Sequence, residues 1–413
     1  MPNGNLRSPT DSLGGQFPLL LGSSATSNLA DGIVKVALPL IAVQWTDSPV
    51  LVGGILAAST LPWLLFALPA GLLVDALDRR RAMMLANLLR ASALALASIS
   101  ILVGEHSLWM LYATAFVLGS AETVHDTAAQ SLLPSVVAPA ALERANGRLS
   151  TAEVTTNGFA GPPLGGLLIS VSAVLGVVIP AGLWIVALLA LFALSVTPQA
   201  RPVGPLRWRH ELLGGIRFAW ANTVLRTMAG MVALCNLATS AFLGSFVVYA
   251  VGPNSVLGAT AFQYGLLMAL AGVGSVLGAL GAAKAASVMG RGRLLALSLL
   301  GMASFIGAPS IVPALSALTV TFLIGGAAVA VWNVVTVSFR QRITPDALLG
   351  RVNAIYRLLT WGTIPVGALL GGSIGSLVGL TELFALAAGA AIVSLVGLRW
   401  VNESSMAENE LRA

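Results

Sequence analysis

Twelve runs of roughly 20 apolar residues, each long enough to cross the hydrocarbon core of a bilayer as a helix, leave this chain little choice of fold. They lie near 17–44, 51–74, 82–104, 107–131, 150–172, 174–197, 225–250, 259–283, 293–313, 315–338, 350–377 and 380–401. Over the whole chain only 9% of residues are charged, against about 25% in soluble domains. The expectation is an all-α membrane protein with twelve transmembrane helices.

The basic residues test that count. Twenty of the 22 Lys and Arg residues fall in segments on the N-terminal side of the membrane. The exceptions, Lys35 and Arg90, lie within spans, and the six opposite loops carry none. The positive-inside rule then puts both termini in the cytosol of a multi-pass protein of the cell (inner) membrane. Topology accounts for the net charge of +6, so the lipid bilayer is a partner and nucleic acid is not. The lone Cys235 lies in an apolar run, the three histidines are scattered, and no phosphate-binding Gly-x-x-x-x-Gly-Lys occurs. No disulfide, metal or cofactor is expected.

A long polar break divides six spans from six. The boundaries are a bundle over 1–197, a cytosolic linker over 198–224, a second bundle over 225–402 and a cytosolic tail over 403–413. In the linker, Trp208, Leu212, Ile216 and Trp220 recur every four residues, as on a helix lying at the membrane surface. The halves echo each other at an offset of 207: Arg144-Ala-Asn-Gly against Arg351-Val-Asn-Ala, Gly71 against Gly278, Gly119 against Gly326, and Asp126 against Asn333. A Gly pair follows in each, Gly165-Gly166 and Gly371-Gly372. Parallel six-span repeats are a transporter architecture with the substrate site between the halves near the midplane.

After span 2 the chain reads Gly71-Leu-Leu-Val-Asp75-Ala-Leu-Asp78-Arg79-Arg80-Arg81. This resembles the signature loop of the major facilitator superfamily, with Gly71, Leu73, Asp75, Arg79 and Arg80 matching while Ala76 and Asp78 depart from it. The resemblance implies two pseudo-symmetric six-helix bundles. It also implies a cytosolic gate of Gly71, Asp75, Arg79, Arg80 and Asp126, in which Asp75 meets the dipole of span 11 and Arg79 pairs with Asp126. Gly161-Pro162-Pro163-Leu164-Gly165-Gly166 fits the antiporter signature of the superfamily, making Gly161, Pro162, Gly165 and Gly166 a hinge in span 5. Further likeness at Ser27-Asn28-Leu-Ala-Asp31-Gly32, Gly119-Ser-Ala-Glu122, Asn146-Gly-Arg148 and Gly350-Arg351-Val-Asn353 is to the drug:proton antiporter branch that includes macrolide and enterobactin exporters. It implies export of a small hydrophobic or amphipathic compound (a drug, antibiotic or siderophore) in exchange for protons, by a monomer that is not an enzyme.

Charge at bilayer depth is costly and therefore informative. Asp31, Glu122, Asp126 and Glu153 lie in span interiors, all in the first half. Asp31 has Asn28 and Lys35 about one turn away on the same face, which suits either an internal ion pair with Lys35 or a proton site. Glu122 lies one turn deeper than Asp126 and is expected to face the cavity, and Glu153 is followed one turn later by Asn157. His125 is expected to point about 100° from Asp126 and to pack, and Arg90 to snorkel toward the cytosol. In the second half Asn333, Trp332, Tyr356 and Trp361 are candidates for cavity lining, with packing the competing role of the aromatics. Two other readings share the composition. A symporter or facilitator importing a metabolite would have the same fold, and a membrane enzyme or signalling protein would need a cytosolic cluster that the short loops do not hold.

Overall fold

A computed structural model of the chain describes residues 13–76, 78–195 and 216–412, with the side chains of 67–77, 346, 347, 350 and 412 outside that description. The first half contains α1 (Phe17–Trp45), α2 (Pro49–Ala76), α3 (Arg79–Leu102), α4 (Leu108–Leu132), α5 (Leu142–Glu153), α6 (Gly161–Val171) and α7 (Ala173–Ala193). The second contains α8 (Thr223–Val251), α9 (Ala261–Met289), α10 (Arg291–Ile311), α11 (Leu315–Ile343), α12 (Asp346–Val378), α13 (Leu380–Val393) and α14 (Glu403–Arg412). Among the described residues, ten helices are long and apolar enough to cross a membrane. The other two crossings are α4, 25 residues long but carrying Glu122, His125 and Asp126, and the broken fifth span, for a total of twelve.

The fifth span departs most from expectation. It begins at Leu142 rather than near 150, and a π-helical turn, Val154–Ala160, separates α5 from α6. Pro162 and Pro163 follow that turn and have no N–H to return to the carbonyls of Gly158 and Phe159, so the ladder is relaid with wider spacing. The linker residues Trp208 and Leu212 lie outside the described residues. Ile216 and Trp220 fall in a short helical stretch and are exposed.

Glycine lets the helices meet backbone to backbone, and the repeat uses it twice over. A Cβ on Gly119 would stand 2.0 Å from the Ser59 carbonyl of α2, and one on Gly326 1.8 Å from the Ala271 carbonyl of α9. In each Gly pair the first member packs within its half: Gly165 against Ile33 of α1, Gly371 against Ala241 of α8. The second crosses to the other half: Gly166 against Ala261 of α9, Gly372 against Val50 of α2. One sequence device thus builds both the bundles and the seams between them.

The seams are closed toward one face only. At the end away from the arginines the halves share one apolar core, containing Leu40, Ile41 and Val52 of the first and Phe246, Tyr249, Phe322 and Phe384 of the second. There Asn254 Nδ2 also donates to Asp47 Oδ2 at 2.9 Å. At the arginine-rich end each half has its own core, Phe17, Met83, Leu132 and Leu191 in one and Leu225, Leu295, Phe339 and Met406 in the other. Among the described residues, α9 lies along α6 and the π turn, while its approach to α5, like that of α4 to α11, is marginal at most. The cleft between the halves therefore opens toward the arginine-rich face.

The tail expected over 403–413 is a docked helix. Met406 is fully buried against the second half, and Arg291 binds Glu403 at 3.0 Å and Glu410 at 2.6 Å, with Arg342 reaching Glu410 at 3.1 Å. Glu403 Oε2 also accepts from the Arg291 and Gly292 N–H groups that open α10, capping that helix from outside.

Two outcomes follow from this packing. Gly166→Leu and Gly372→Leu each force a side chain into the opposite half and should lower the thermal midpoint in detergent, by the equivalent of about 1–3 kcal/mol or more. Gly182→Leu, where a Cβ meets nothing within 4 Å, should leave the midpoint almost unchanged. For the tail, burial pushes the Glu403 carboxyl up, but hydrogen bonds from Arg291 and Gly292 outweigh it and hold the group below the usual carboxylate range. Its contribution to docking is complete above that range and is lost as pH falls through the depressed value. Amide exchange over 403–412 should stay slow at about pH 4.3, where an ordinary Glu is half protonated, and become fast in Glu403→Gln at neutral pH.

Candidate functional site

The charged groups of the first half come together around α1. This helix is buried on nearly every side, because α4, α5, α6 and α7 surround it and α8 faces it across the seam. Lys35 breaks the pattern: its side chain is 56% exposed in mid-helix, so it borders the cleft rather than lipid. Ser24, Asn28, Asp31 and Lys35 follow one another at helical spacing and form a polar edge along that border.

Asp31 pairs with Arg90 of α3, not with Lys35. Arg90 Nη1 stands 3.2 Å from both carboxylate oxygens and donates to Ser27 Oγ at 3.0 Å. Arg90 does not snorkel: it has no exposed surface, because α3 packs its middle against α4 and α7, and its guanidinium lies 5.5 Å from the Trp184 ring. Only one guanidinium nitrogen engages Asp31, and Nε and Nη2 have no protein partner, so the pair lacks the two-pronged geometry of the strongest Arg–carboxylate contacts. Asp31 keeps 10% of its side chain exposed.

Lys35 turns instead to neighbouring helices. Its Nζ donates to Asn157 Oδ1 at 3.0 Å and stands 3.9 Å from Glu122, whose side chain is 22% exposed. Asn157 belongs to the π turn, and its Nδ2 reaches Asn28 Oδ1 at 3.4 Å. Behind this network a Cβ on Gly32 would stand 2.5 Å from the Asn157 carbonyl, and one on Gly161 2.6 Å from the Gly32 Cα. The hinge residues Gly161 and Gly165 thus bring the π turn and α6 close enough for Asn157 to reach Lys35. Glu153, one turn before Asn157, is exposed and makes no hydrogen bond or ion pair with the described residues.

The expected gate is assembled differently. The side chains of Gly71 and Asp75 lie outside the described residues. Asp126 does not meet Arg79: its Oδ1 lies 3.3 Å from Nδ1 of the buried His125, which turns toward its neighbour rather than away. Arg79 donates to the Ser131 carbonyl at 2.8 Å, and Arg80 to the carbonyls of Leu191 and Phe192 at 2.7 and 2.8 Å. Both arginines therefore cap helix ends within the first half, where terminal carbonyls lack intrahelical partners.

Across the cleft the second half has a wall of another kind. Trp332 is 3% exposed and packs in the apolar core, and the Tyr356 hydroxyl donates to the Leu225 carbonyl, so both are structural. Asn333 is exposed on α11, and Trp361 packs at a 59° tilt against Trp63 of α2 with ring centroids 4.2 Å apart, joining the halves. Asn236 of α8 donates to the Thr360 carbonyl at 2.8 Å. Sequence reasoning did not single out Asn236 or Trp63 for this region, nor Arg90 for the network of the first half. Arg90 carried the signal, a cation in mid-span, but its partner depends on which helix α3 faces.

Residues 14–411 match the family described as transmembrane secretion effector. The multidrug efflux pump Tap of Mycolicibacterium fortuitum is 29% identical over 396 residues, covering 91% of this chain and 93% of the pump. The enterobactin exporter EntS of Shigella boydii serotype 4 is 28% identical over 351 residues, 84% of this chain and 82% of the exporter. A crystal structure of the nucleoside transporter NupG superposes with a TM-score of 0.73 at 12% identity, covering 93% of this chain and 98% of that one, a likeness of fold. Twelve crossings in two repeated halves around a charged cleft, together with a match along nearly the whole sequence, give one conclusion: the chain belongs to the transmembrane secretion effector family of the major facilitator superfamily, a family of multi-pass membrane efflux transporters.

Proposed function

We propose that the protein is a monomeric antiporter that exports a small hydrophobic or amphipathic compound in exchange for protons, with Asp31 and Glu122 as the proton-carrying groups. The observation that carries this reading is the pair of carboxylates on the cleft side of the first half, each held by one cation and each retaining exposed surface. A carboxylate at this depth is tolerated in its charged form only through such a partner. A proton arriving from outside cancels the carboxylate charge and frees Arg90 or Lys35, so the two charge states favour different arrangements of α1, α3 and α4. Loss of that proton toward the cytosol restores the pair. A ligand shifts the inward and outward forms only by its difference in affinity for them, and here proton and substrate enter the same cleft.

In this reading the π turn is the moving part. It carries Asn157, which holds Lys35, and it leans on α9 through the close approach of Gly272 to the Gly158 carbonyl. A tilt of one half against the other changes the reach of Asn157 to Lys35 and with it the hold of Lys35 on Glu122. Opening toward the arginine-rich face corresponds to the cytosol-facing form that loads substrate. The domain division at 197 and 225, the cytosolic termini and the gate at Asp75 belong to the same proposal.

The test is uptake of a fluorescent amphipath into inverted vesicles energised by an imposed pH gradient. Asp31→Asn and Glu122→Gln should each cut proton-driven accumulation by about tenfold or more, while substrate exchange without a gradient persists. Proton-driven accumulation that survives both substitutions together would remove the assignment.

A further inference from the structure

We infer that the second-half wall of the cleft selects substrates carrying an anionic group on an aromatic or otherwise planar apolar body, and that Arg357 sets this selectivity, with Arg340 at the entrance. The inference rests on the efflux reading above and adds a substrate class to it.

Arg357 lies about three turns into α12, one turn before Trp361, and its guanidinium stands 5.6 Å from that ring. It shares a helical face with Trp361 and with Ala368, which meets Gly53 of α2 at the seam. Val366, Leu370 and Leu377, 47, 43 and 83% exposed, occupy the opposite face, toward lipid. Arg357 is itself exposed, so its charge is turned to the cleft. On α11, Asn333 and Arg340 lie two turns apart on one face, while the exposed Val320 and Ile324 lie on the other. Arg340 sits 4.4 Å from the Tyr356 ring and donates from Nε to Asn353 Oδ1 at 2.9 Å.

Both guanidinium groups are thus laid on aromatic faces, and neither meets a carboxylate among the described residues. Three second-half acids lie elsewhere: Glu403 and Glu410 hold Arg291 and Arg342 in the tail, and Glu382 opens α13 beside Gly379. The first half differs, since its cleft cation Lys35 faces Glu122. A guanidinium fixed by a ring keeps unused N–H donors in a planar fork suited to a carboxylate, phenolate or sulfonate. Trp361 and Trp63 supply the adjoining surface for a flat apolar body. Topology alone places arginines near this face, but it does not call for one set over a tryptophan ring.

The experiment measures binding of three matched probes to the full-length protein in nanodiscs: 1-naphthylacetate, 1-naphthalenemethanol and 1-naphthylmethylammonium. The wild type should bind the anion about tenfold or more tightly than the alcohol, as expected of a charge-assisted hydrogen bond. Arg357→Gln should remove that preference while leaving the alcohol unchanged, which also reports an intact fold; Arg357→Lys should retain part of it, and Arg340→Gln should weaken it less. Equal or tighter binding of the cation by the wild type, or an anion preference that survives Arg357→Gln, would overturn the inference. The outcome is independent of proton coupling: anion selectivity with an inert Asp31→Asn would count against the antiport reading alone, and coupling lost in Asp31→Asn without anion selectivity would count against this one alone.

Discussion

A guanidinium with no exposed surface cannot stay in the middle of a lipid-embedded bundle unpaired, and the first half is arranged around meeting that demand at Arg90. Asp31 supplies the charge, Ser27 a hydrogen-bond acceptor and Trp184 a ring face, from α1 and α7. Because Arg90 holds Asp31, Lys35 is released from the acid four residues before it on its own helix. It can then reach Asn157 and Glu122, which tie α1 to the π turn and to α4. The two carboxylates end on the cleft side with different cations, and the proposed proton coupling rests on that division.

Movement between the halves depends on a second constraint, the absence of side chains where backbones cross. Gly166 and Gly372 hold equivalent places in the two repeats, and each rests on the first turn of a helix in the other half. Smooth backbone contacts of this kind, without interlocked side chains, allow rocking at the end away from the arginines. The Pro pair and its π turn place a ready bend within the same seam. At the opposite end each half keeps a separate core, so parting there exposes little that was packed across. The docked α14 adds to the second half's core and ties the first turns of α10 to the end of α11.

Much of this was legible because some patterns act locally. Apolar run length, the side bias of the arginines and the 207-residue echo each follow from lipid and from backbone geometry, without reference to which helix neighbours which. The prolines of span 5 announced a distortion in the same way, although not that it would widen into a π turn. Pairings failed where helical spacing was taken for partnership. Asp31 and Lys35 lie one turn apart yet bond outward to different helices, Asp126 turns to His125, and Arg79 and Arg80 are used on carbonyl groups that no residue pattern marks. For the tail the sequence suggested only a cytosolic position, since the burial of Met406 requires a surface assembled from distant helices.

Sequence by itself determined the membrane setting, the number of crossings, their repeat and the presence of charge at depth, because each is a property of one segment in water or in hydrocarbon. Tertiary structure decided which cation answers each carboxylate, which face the cleft opens to and which arginines are laid on aromatic rings, because a long side chain reaches across helices and its partner is set by packing.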